Sequence, residues 1–143
     1  MKSLVLVFVL GLSAFFCYPL RAGEKSEQDM RAEYQLQFAD SLETAWAFQG
    51  AALAYRMVAE LYPNTMYYAH AVRNLAHLYI NPFNTARNDS LALMWFTKHL
   101  EISWLPRGER TRSVIVSSMV RERMQVTSVD DKRLTTIDSL TTI

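Results

Sequence analysis

Apolar side chains recur every three or four residues through most of the chain beyond residue 24, which is the period of an α-helix. The stretch AALAYRMVAELYPN, residues 51–64, shows the pattern well, because Ala51, Tyr55, Val58 and Leu61 fall on one helical face. Pro63 ends this helix, since proline has no amide hydrogen and disfavours helical angles in the residue before it. No stretch alternates between apolar and polar positions as a strand does. The sequence therefore predicts an all-α fold.

Four further helices are predicted around that one. The first spans about Glu27 to Glu43, one begins near Thr65, one begins at Asn88 or Asp89 with either residue as its cap, and one lies within residues 108–124. Their predicted apolar faces, in chain order, are Met30, Tyr34, Phe38 and Leu42; Ala69, Val72, Leu75, Ala76 and Tyr79; Leu91, Ala92, Trp95, Phe96 and Leu100; and Val116, Met119, Val120 and Met124.

A two-helix unit occurs twice in this pattern. Ala39 and Ala51 fall in the first helix pair, and Ala76 and Ala92 fall in the second, where small residues allow helix axes to approach closely. The helix within residues 108–124 would then cap the array with a polar outer face. We expect antiparallel helix-hairpin repeats, about two units, followed by a C-terminal capping helix.

The repeated unit resembles the tetratricopeptide repeat. Residues 51–64 are similar to its second helix, with the Pro-Asn exit, and AVRNLAHLY, residues 71–79, resembles the first helix of a following repeat. LALMWFTKHL, residues 91–100, resembles the next second helix, with His99 where the family has a small residue. The loop of residues 80–88 is longer than the standard one and closer to that of Sel-like relatives. The resemblance covers residues 30 to about 104.

The two ends of the chain differ from this helical domain of residues 23–125. Residues 1–22 have one early charge at Lys2, an apolar run and a small residue, Ala22, before the expected cleavage point, which is the pattern of a signal peptide. An uncleaved membrane anchor is the alternative, and lipidation of Cys17 is disfavoured because Phe16 precedes it. The tail, residues 126–143, has apolar residues three apart from Leu134 onward, so a short coiled coil and disorder both stay open.

Charge excludes one class of partner and favours another. Without residues 1–22 the chain has 13 basic and 14 acidic residues, so we expect no nucleic-acid partner. Acidic residues dominate residues 24–60, and arginines dominate residues 107–123. That asymmetry suits docking to a charged protein or self-association, although solvated helix faces explain such charges more often.

Catalytic and metal-binding motifs were not found. His70 and His77 are two helical turns apart, about 10.5 Å along the axis, which is too far for both to hold one ion. No motif for a nucleophile or for phosphate binding is present. We therefore expect no enzyme activity, no metal and no cofactor.

The candidate site is a set of polar residues on the helix of residues 71–79 and just before it. The resemblance implies a concave groove lined by the first helix of each repeat, which would expose His70, Arg73, Asn74 and His77. Arg73 with Asn74 resembles part of a clamp on a peptide's terminal carboxylate, since a guanidinium group can bind both oxygens. A solvated polar face is the alternative interpretation.

The resulting hypothesis is a secreted, periplasmic adaptor that mediates protein–protein interaction in a bacterial cell envelope. A self-assembling structural subunit of an envelope complex is the second hypothesis. A groove that binds a small ligand or glycan through aromatic side chains is the third, with candidate residues Trp46, Tyr67, Tyr68, Trp95 and Trp104.

Overall fold

The computed structural model describes residues 25–141 of the chain, with side chains described through Val129. The described residues form five α-helices and no β-strand: α1 (Glu27–Thr44), α2 (Phe48–Leu61), α3 (Tyr67–Ile80), α4 (Asp89–Leu100) and α5 (Arg107–Thr141). The all-α prediction is confirmed. The expected signal peptide and its cleavage site, together with Cys17, lie outside the described residues.

No helix in the described residues combines the length and the apolar character that a membrane span requires.

Polar caps define where two of the helices begin. The Ser26 side chain accepts a hydrogen bond of 3.1 Å from the amide of Asp29 at the start of α1. The Asn88 side chain accepts a hydrogen bond of 2.9 Å from the amide of Leu91, so of the two predicted caps, Asn88 and Asp89, it is Asn88 that caps α4. Each cap satisfies one of the amides that a first helical turn leaves without an intrahelical partner.

The helices pack as two hairpins followed by a long last helix. Helix α1 packs on α2 and α3 packs on α4, while α2 contacts α3 and α4 contacts α5. Helix α1 also contacts α3, so the first helices of the two hairpins are neighbours. This arrangement of adjacent helix pairs is consistent with helical repeats.

Equivalent residues of the two hairpins are buried in the same way. Ala51 and Ala92 are fully buried, and so are Tyr55 and Phe96, each pair 41 residues apart. The aromatic side chain in each case lies one helical turn after the alanine, where the alanine lets a neighbouring helix come close. The duplication predicted from the sequence is therefore present in the packing of the core.

The predicted apolar stripe of α1 is wrong at three of its four positions. Met30, Tyr34 and Phe38 are 52%, 74% and 49% exposed, and the buried face is formed instead by Ala32, Leu36 and Ala39. The two sets are offset by one or two residues, so they point in different directions from the same helix. The face with two alanines permits closer packing, and that face is turned toward the core. Leu42, the last member of the predicted stripe, is half-buried against the core.

Two further predicted core positions are also exposed. Leu61, the last residue of α2, is 60% exposed, and Met119 on α5 is 63% exposed. Helix α5 buries Val120, as predicted, together with two serines that were not predicted, Ser113 and Ser117. The backbone of α5 continues as one helix beyond residue 125 through Thr141.

Candidate functional site

The four predicted site residues share one face of α3. His70 and His77 are exposed, and Arg73 and Asn74 are half-buried. Because the helix turns once every 3.6 residues, positions 70, 73, 74 and 77 point the same way. The opposite face of α3 contributes fully buried residues to the core, among them Val72 and Leu75.

Arg73 is held by a carboxylate from the first turn of α5. Its Nη1 donates to both carboxylate oxygens of Glu109, at 3.1 Å each. Its Nε donates to Asn74 Oδ1 at 3.4 Å. Glu109 thus occupies the place that the clamp hypothesis gave to the terminal carboxylate of a peptide.

Asn74 joins α3 to a carboxylate near the end of α1 and to a buried tyrosine of α2. Its Nδ2 donates to Asp40 Oδ1 at 3.3 Å and to the Tyr55 hydroxyl at 3.4 Å. The Tyr55 oxygen lies 2.6 Å from Asp40 Oδ1 and 2.6 Å from Glu43 Oε2. A hydroxyl has a single hydrogen, so Tyr55 donates to one of these two carboxylates at a time.

Burial keeps the Tyr55 hydroxyl protonated. Its pKa is raised well above the usual value, first by burial and then by its hydrogen bonds to Asp40 and Glu43, because a negative phenolate beside two carboxylates is strongly disfavoured. The hydroxyl therefore remains a donor at any ordinary pH, to Asp40 or to Glu43.

His77 lies beside this group against the core of the second hairpin. Its ring meets the Phe96 ring edge-on, with ring centres 5.2 Å apart. Although His77 is exposed overall, contact with the protein removes water from part of its ring and lowers its pKa, the charge of Arg73 lowers the pKa further, and Glu43 opposes both effects. His77 is therefore mainly neutral at pH 7.

His99 is fully buried between α4 and α5. Its Nδ1 lies 2.9 Å from Ser113 Oγ, and its Nε2 lies 3.8 Å from Glu109 Oε2, beyond hydrogen-bond distance. Burial lowers the pKa of His99 to about 4, although the charge of Glu109 acts to raise it. The resemblance to the repeat predicted a small side chain at position 99 of α4. The structure has an imidazole there, and the small Ser113 of α5 leaves room for it.

The set of Ser113, His99 and Glu109 contains the residue types of a hydrolytic triad, but its geometry does not suit one. His99 is 0% exposed and Ser113 is 2% exposed, so no substrate reaches the serine oxygen. The near contact with Glu109 is too long for a hydrogen bond. These residues tie α4 to α5, and through Glu109 and Arg73 they tie both helices to α3.

Together these contacts build one continuous surface across α1, α3 and the start of α5, which we call the acidic face. Its charged members are three carboxylates, Asp40, Glu43 and Glu109, and one guanidinium, Arg73. Since His77 is neutral at pH 7, the carboxylates outnumber the positive groups. An excess of carboxylates attracts cations rather than anions.

The sequence did not identify the three carboxylates as part of the site. Asp40 and Glu109 lie 34 and 36 residues from the α3 side chains that they contact. One sequence signal would have found Asp40. The two first helices are related by a shift of 37 residues, from Ala39 to Ala76, which places Asp40 at the position of His77.

A separate concavity lies beside the turn between α1 and α2 and the loop between α3 and α4. Trp46 and Phe83 are 64% and 66% exposed, their ring centres are 5.2 Å apart, and with Phe48 they line a cavity of about 400 Å³. Trp104 lines a different concavity, and Trp95 is buried. The tryptophans considered for a ligand groove therefore do not converge on one place.

Searches of protein-family models, of curated proteins and of solved structures found no match to this chain.

Proposed function

We propose that this protein is a secreted adaptor of the bacterial cell envelope, with two tetratricopeptide-like hairpins, that binds a partner protein through the acidic face. The repeat-like burial of Ala51 with Ala92 and of Tyr55 with Phe96 supports the repeat assignment. The contact between α1 and α3 supports it too, because first helices that lie side by side form the floor of a groove. The signal-peptide pattern of residues 1–22 supports export to the periplasm.

The arrangement of Asp40 and Glu43 around the Tyr55 hydroxyl carries the proposal. The Asn74 amide donates to Asp40, and the Tyr55 hydroxyl donates to Asp40 or to Glu43, so this network orders the pair before any partner arrives. A fixed pair of carboxylates binds a Lys or Arg side chain with little loss of side-chain entropy. The partner is accordingly a peptide segment with a basic residue.

A terminal carboxylate is a poorer ligand for the same surface. It would have to displace Glu109 from Arg73, and it would meet the negative charges of Asp40 and Glu43. The clamp hypothesis for Arg73 and Asn74 therefore becomes a positioning role, in which these two side chains order the carboxylates. Binding rather than catalysis is assigned, because the triad-like residues are buried.

Peptide binding tests this proposal directly. Fluorescence anisotropy would compare labelled peptides of equal length that carry either Lys and Arg or Asp and Glu, at low and high salt. We expect the basic peptides to bind more tightly, with an affinity that falls as salt rises. Equal binding of both peptide classes, or tighter binding of the acidic one, would contradict the assignment.

Matched variants locate the binding surface. Asp40→Asn with Glu43→Gln should weaken binding of the basic peptide about tenfold or more, since two carboxylates are removed from the contact. Glu27→Gln with Glu60→Gln removes the same charge from exposed positions elsewhere and serves as the control. Equal losses in both double variants would mean that net charge, rather than the acidic face, attracts the peptide.

A self-assembling subunit is the second candidate, and the charge asymmetry of the chain favours it. Acidic residues predominate in residues 24–60 and arginines in the first half of α5. End-to-end stacking of such ends would be head-to-tail, so the assembly would grow with concentration and dissolve in salt. Light scattering over a range of concentrations distinguishes such growth from a fixed stoichiometry.

A further inference from the structure

A groove made of two adjoining concavities runs along α2. The first, of about 400 Å³, is lined by the exposed rings of Trp46 and Phe83, and the second, of about 230 Å³, extends to Arg56. The two concavities share Phe48 and Gln49 in their walls. We call them together the α2 groove. It has no residue in common with the acidic face.

Three aromatic rings form one end of the α2 groove. The centre of the Trp46 ring lies 5.2 Å from that of Phe83 and 5.8 Å from that of Phe48. The backbone of Trp46 has a φ of 63°, which is unfavourable for a residue with a Cβ atom, and strained residues of this kind are concentrated at binding sites. Because Trp46 and Phe83 are 64% and 66% exposed, this end offers open aromatic surface to a bulky apolar side chain.

A guanidinium group lies at the other end of the α2 groove. Nη2 of Arg56 donates to the Tyr79 hydroxyl at 3.1 Å, which orients the half-buried arginine side chain. Among the side chains that the structure describes, no carboxylate forms an ion pair with Arg56. A guanidinium has five N–H donors, and a carboxylate accepts two of them in parallel. Arg56 is therefore available to a carboxylate from another molecule.

The charge of the α2 groove favours an anionic ligand. Aromatic rings also bind cations on their faces, so the aromatic end alone would suit a ligand of either sign. However, neither Asp nor Glu is among the residues that line the two concavities. A cation would find no opposite charge in the groove and would be repelled by Arg56, whereas a carboxylate would be attracted to it.

The length of the α2 groove fits an extended peptide. Residues 48 and 56 are about 12 Å apart along the helix axis. In an extended chain, side chains four residues apart are about 13 Å from each other and point to the same side. Gln49 lies in the wall that the two concavities share, and its exposed amide carries both donors and an acceptor for a peptide backbone.

We propose that the α2 groove binds an extended segment of a partner protein that carries a bulky apolar residue and, four residues away, an Asp or Glu. The apolar side chain packs among the rings of Trp46, Phe48 and Phe83, and the carboxylate pairs with Arg56. This segment is opposite in charge to the basic peptide assigned to the acidic face. The two surfaces bind different peptides, and neither assignment depends on the other.

Titration with synthetic peptides, followed by NMR of the 15N-labelled protein, tests the ligand. The full chain and the form that begins at Gly23 would be titrated with seven-residue peptides of Ser and Gly, blocked at both ends, that carry Phe and Glu four positions apart in either order. We expect one order to shift the indole Nε1–H resonance of Trp46 until it saturates. Replacing Glu with Gln, replacing Phe with Ser, or placing the two residues only two positions apart should each weaken binding about fivefold or more.

Matched variants locate the peptide in the α2 groove. In Arg56→Gln the peptides with Glu and with Gln should bind equally, whereas Arg112→Gln, which removes an exposed arginine of α5, should keep the preference for Glu. Phe83→Ser, at an exposed loop position, should weaken binding about fivefold, and Trp104→Ser, exposed in a different concavity, should not. The proposal is overturned by the absence of any shift at Trp46, by equal binding of the two spacings, by a preference for Glu that survives in Arg56→Gln, or by parent-like binding in Phe83→Ser.

Discussion

The Nδ1 atom of His99 and the Oγ atom of Ser113, 2.9 Å apart, join α4 to α5 inside the protein. Both side chains are buried, and the other ring nitrogen of His99 has no hydrogen-bond partner. An imidazole in this position is stable as the neutral form, because a charged ring would lose its hydration without gaining a close ion pair. The interface between α4 and α5 therefore depends on the protonation state of one histidine.

Acidification should lower the free energy of unfolding because of His99. Burial lowers the pKa of His99 to about 4 in the folded state, against an ordinary value of about 6.5 when the chain is unfolded. Protons then bind the unfolded chain more tightly, so the stabilisation is complete above pH 6.5 and is lost as the pH falls toward 4. The expected loss is about 3 kcal/mol by pH 4, measured as the free energy of unfolding in urea at each pH.

Two variants separate His99 from the other titrating groups. His99→Gln cannot take up a proton, so its stability should change less than that of the parent between pH 7 and pH 4.5, whatever its stability at pH 7. His70→Gln removes an exposed histidine from α3 and should retain the pH dependence of the parent. A parent-like pH dependence in His99→Gln would show that the carboxylates, rather than His99, cause the loss.

The ion pair between Arg73 and Glu109 should stabilise the fold by about 1 kcal/mol. Both side chains are less than one-third exposed, so solvent screens their attraction less than that of a surface pair. A double-mutant cycle with Arg73→Met and Glu109→Gln, measured by urea unfolding, gives the coupling energy. We expect the coupling to shrink in 1 M salt. A coupling energy of zero at low salt would mean that the pair does not stabilise the contact between α3 and α5.

The parts of the fold that the sequence predicted share a physical basis. In α3 no bulky apolar side chain is exposed, so the spacing of the apolar residues alone identifies the buried side. Helix α1 has two apolar faces, one with Met30 and Tyr34 and one with Ala32 and Leu36. The helical spacing of apolar residues does not distinguish these two faces. Close helix packing favours the face with the smaller side chains.

The site was predictable only within a single helix. The common orientation of His70, Arg73, Asn74 and His77 follows from helical spacing. Glu109 approaches Arg73 because α5 packs on α4 and places its first turn beside α3. That approach is a property of the tertiary fold, and local spacing carries no information about it. Glu109 could therefore be identified as the partner of Arg73 only from the structure.

Removing the Tyr55 hydroxyl should loosen the junction between α1 and α2. Tyr55→Phe keeps the buried ring but loses the hydrogen bond that the hydroxyl donates to Asp40 or to Glu43, and a hydrogen bond to a charged group is worth more than a neutral one. Because Asp40 is exposed and can be hydrated, we expect a loss of about 1.5 kcal/mol in the free energy of unfolding. Tyr34→Phe, at an exposed position on α1, should change it by less than about 0.5 kcal/mol. Equal effects of the two substitutions would show that the hydroxyl has no structural role.

The turn between α1 and α2 contains a tryptophan in a conformation that favours glycine. Trp46 has a φ of 63°, and the amide of the next residue, Ala47, donates back to Leu42 O at 2.8 Å, which is the hydrogen bond of a Schellman helix end. A side chain with a Cβ atom costs about 1–2 kcal/mol in the left-handed region, and glycine avoids that cost. The exposed Trp46 ring contacts Phe48 and Phe83, which offsets part of it.

Comparing two substitutions at this position isolates the backbone strain. Trp46→Ala and Trp46→Gly both remove the aromatic contacts, but only glycine relieves the left-handed strain. We therefore expect the glycine variant to be more stable than the alanine variant by about 1 kcal/mol in urea unfolding, although glycine normally destabilises a chain by making the unfolded state more flexible. The reverse order would mean that the turn adopts a negative φ once the ring is gone. In that case the contacts of Trp46 with the two phenylalanines, rather than the helix end, hold the tryptophan in its conformation.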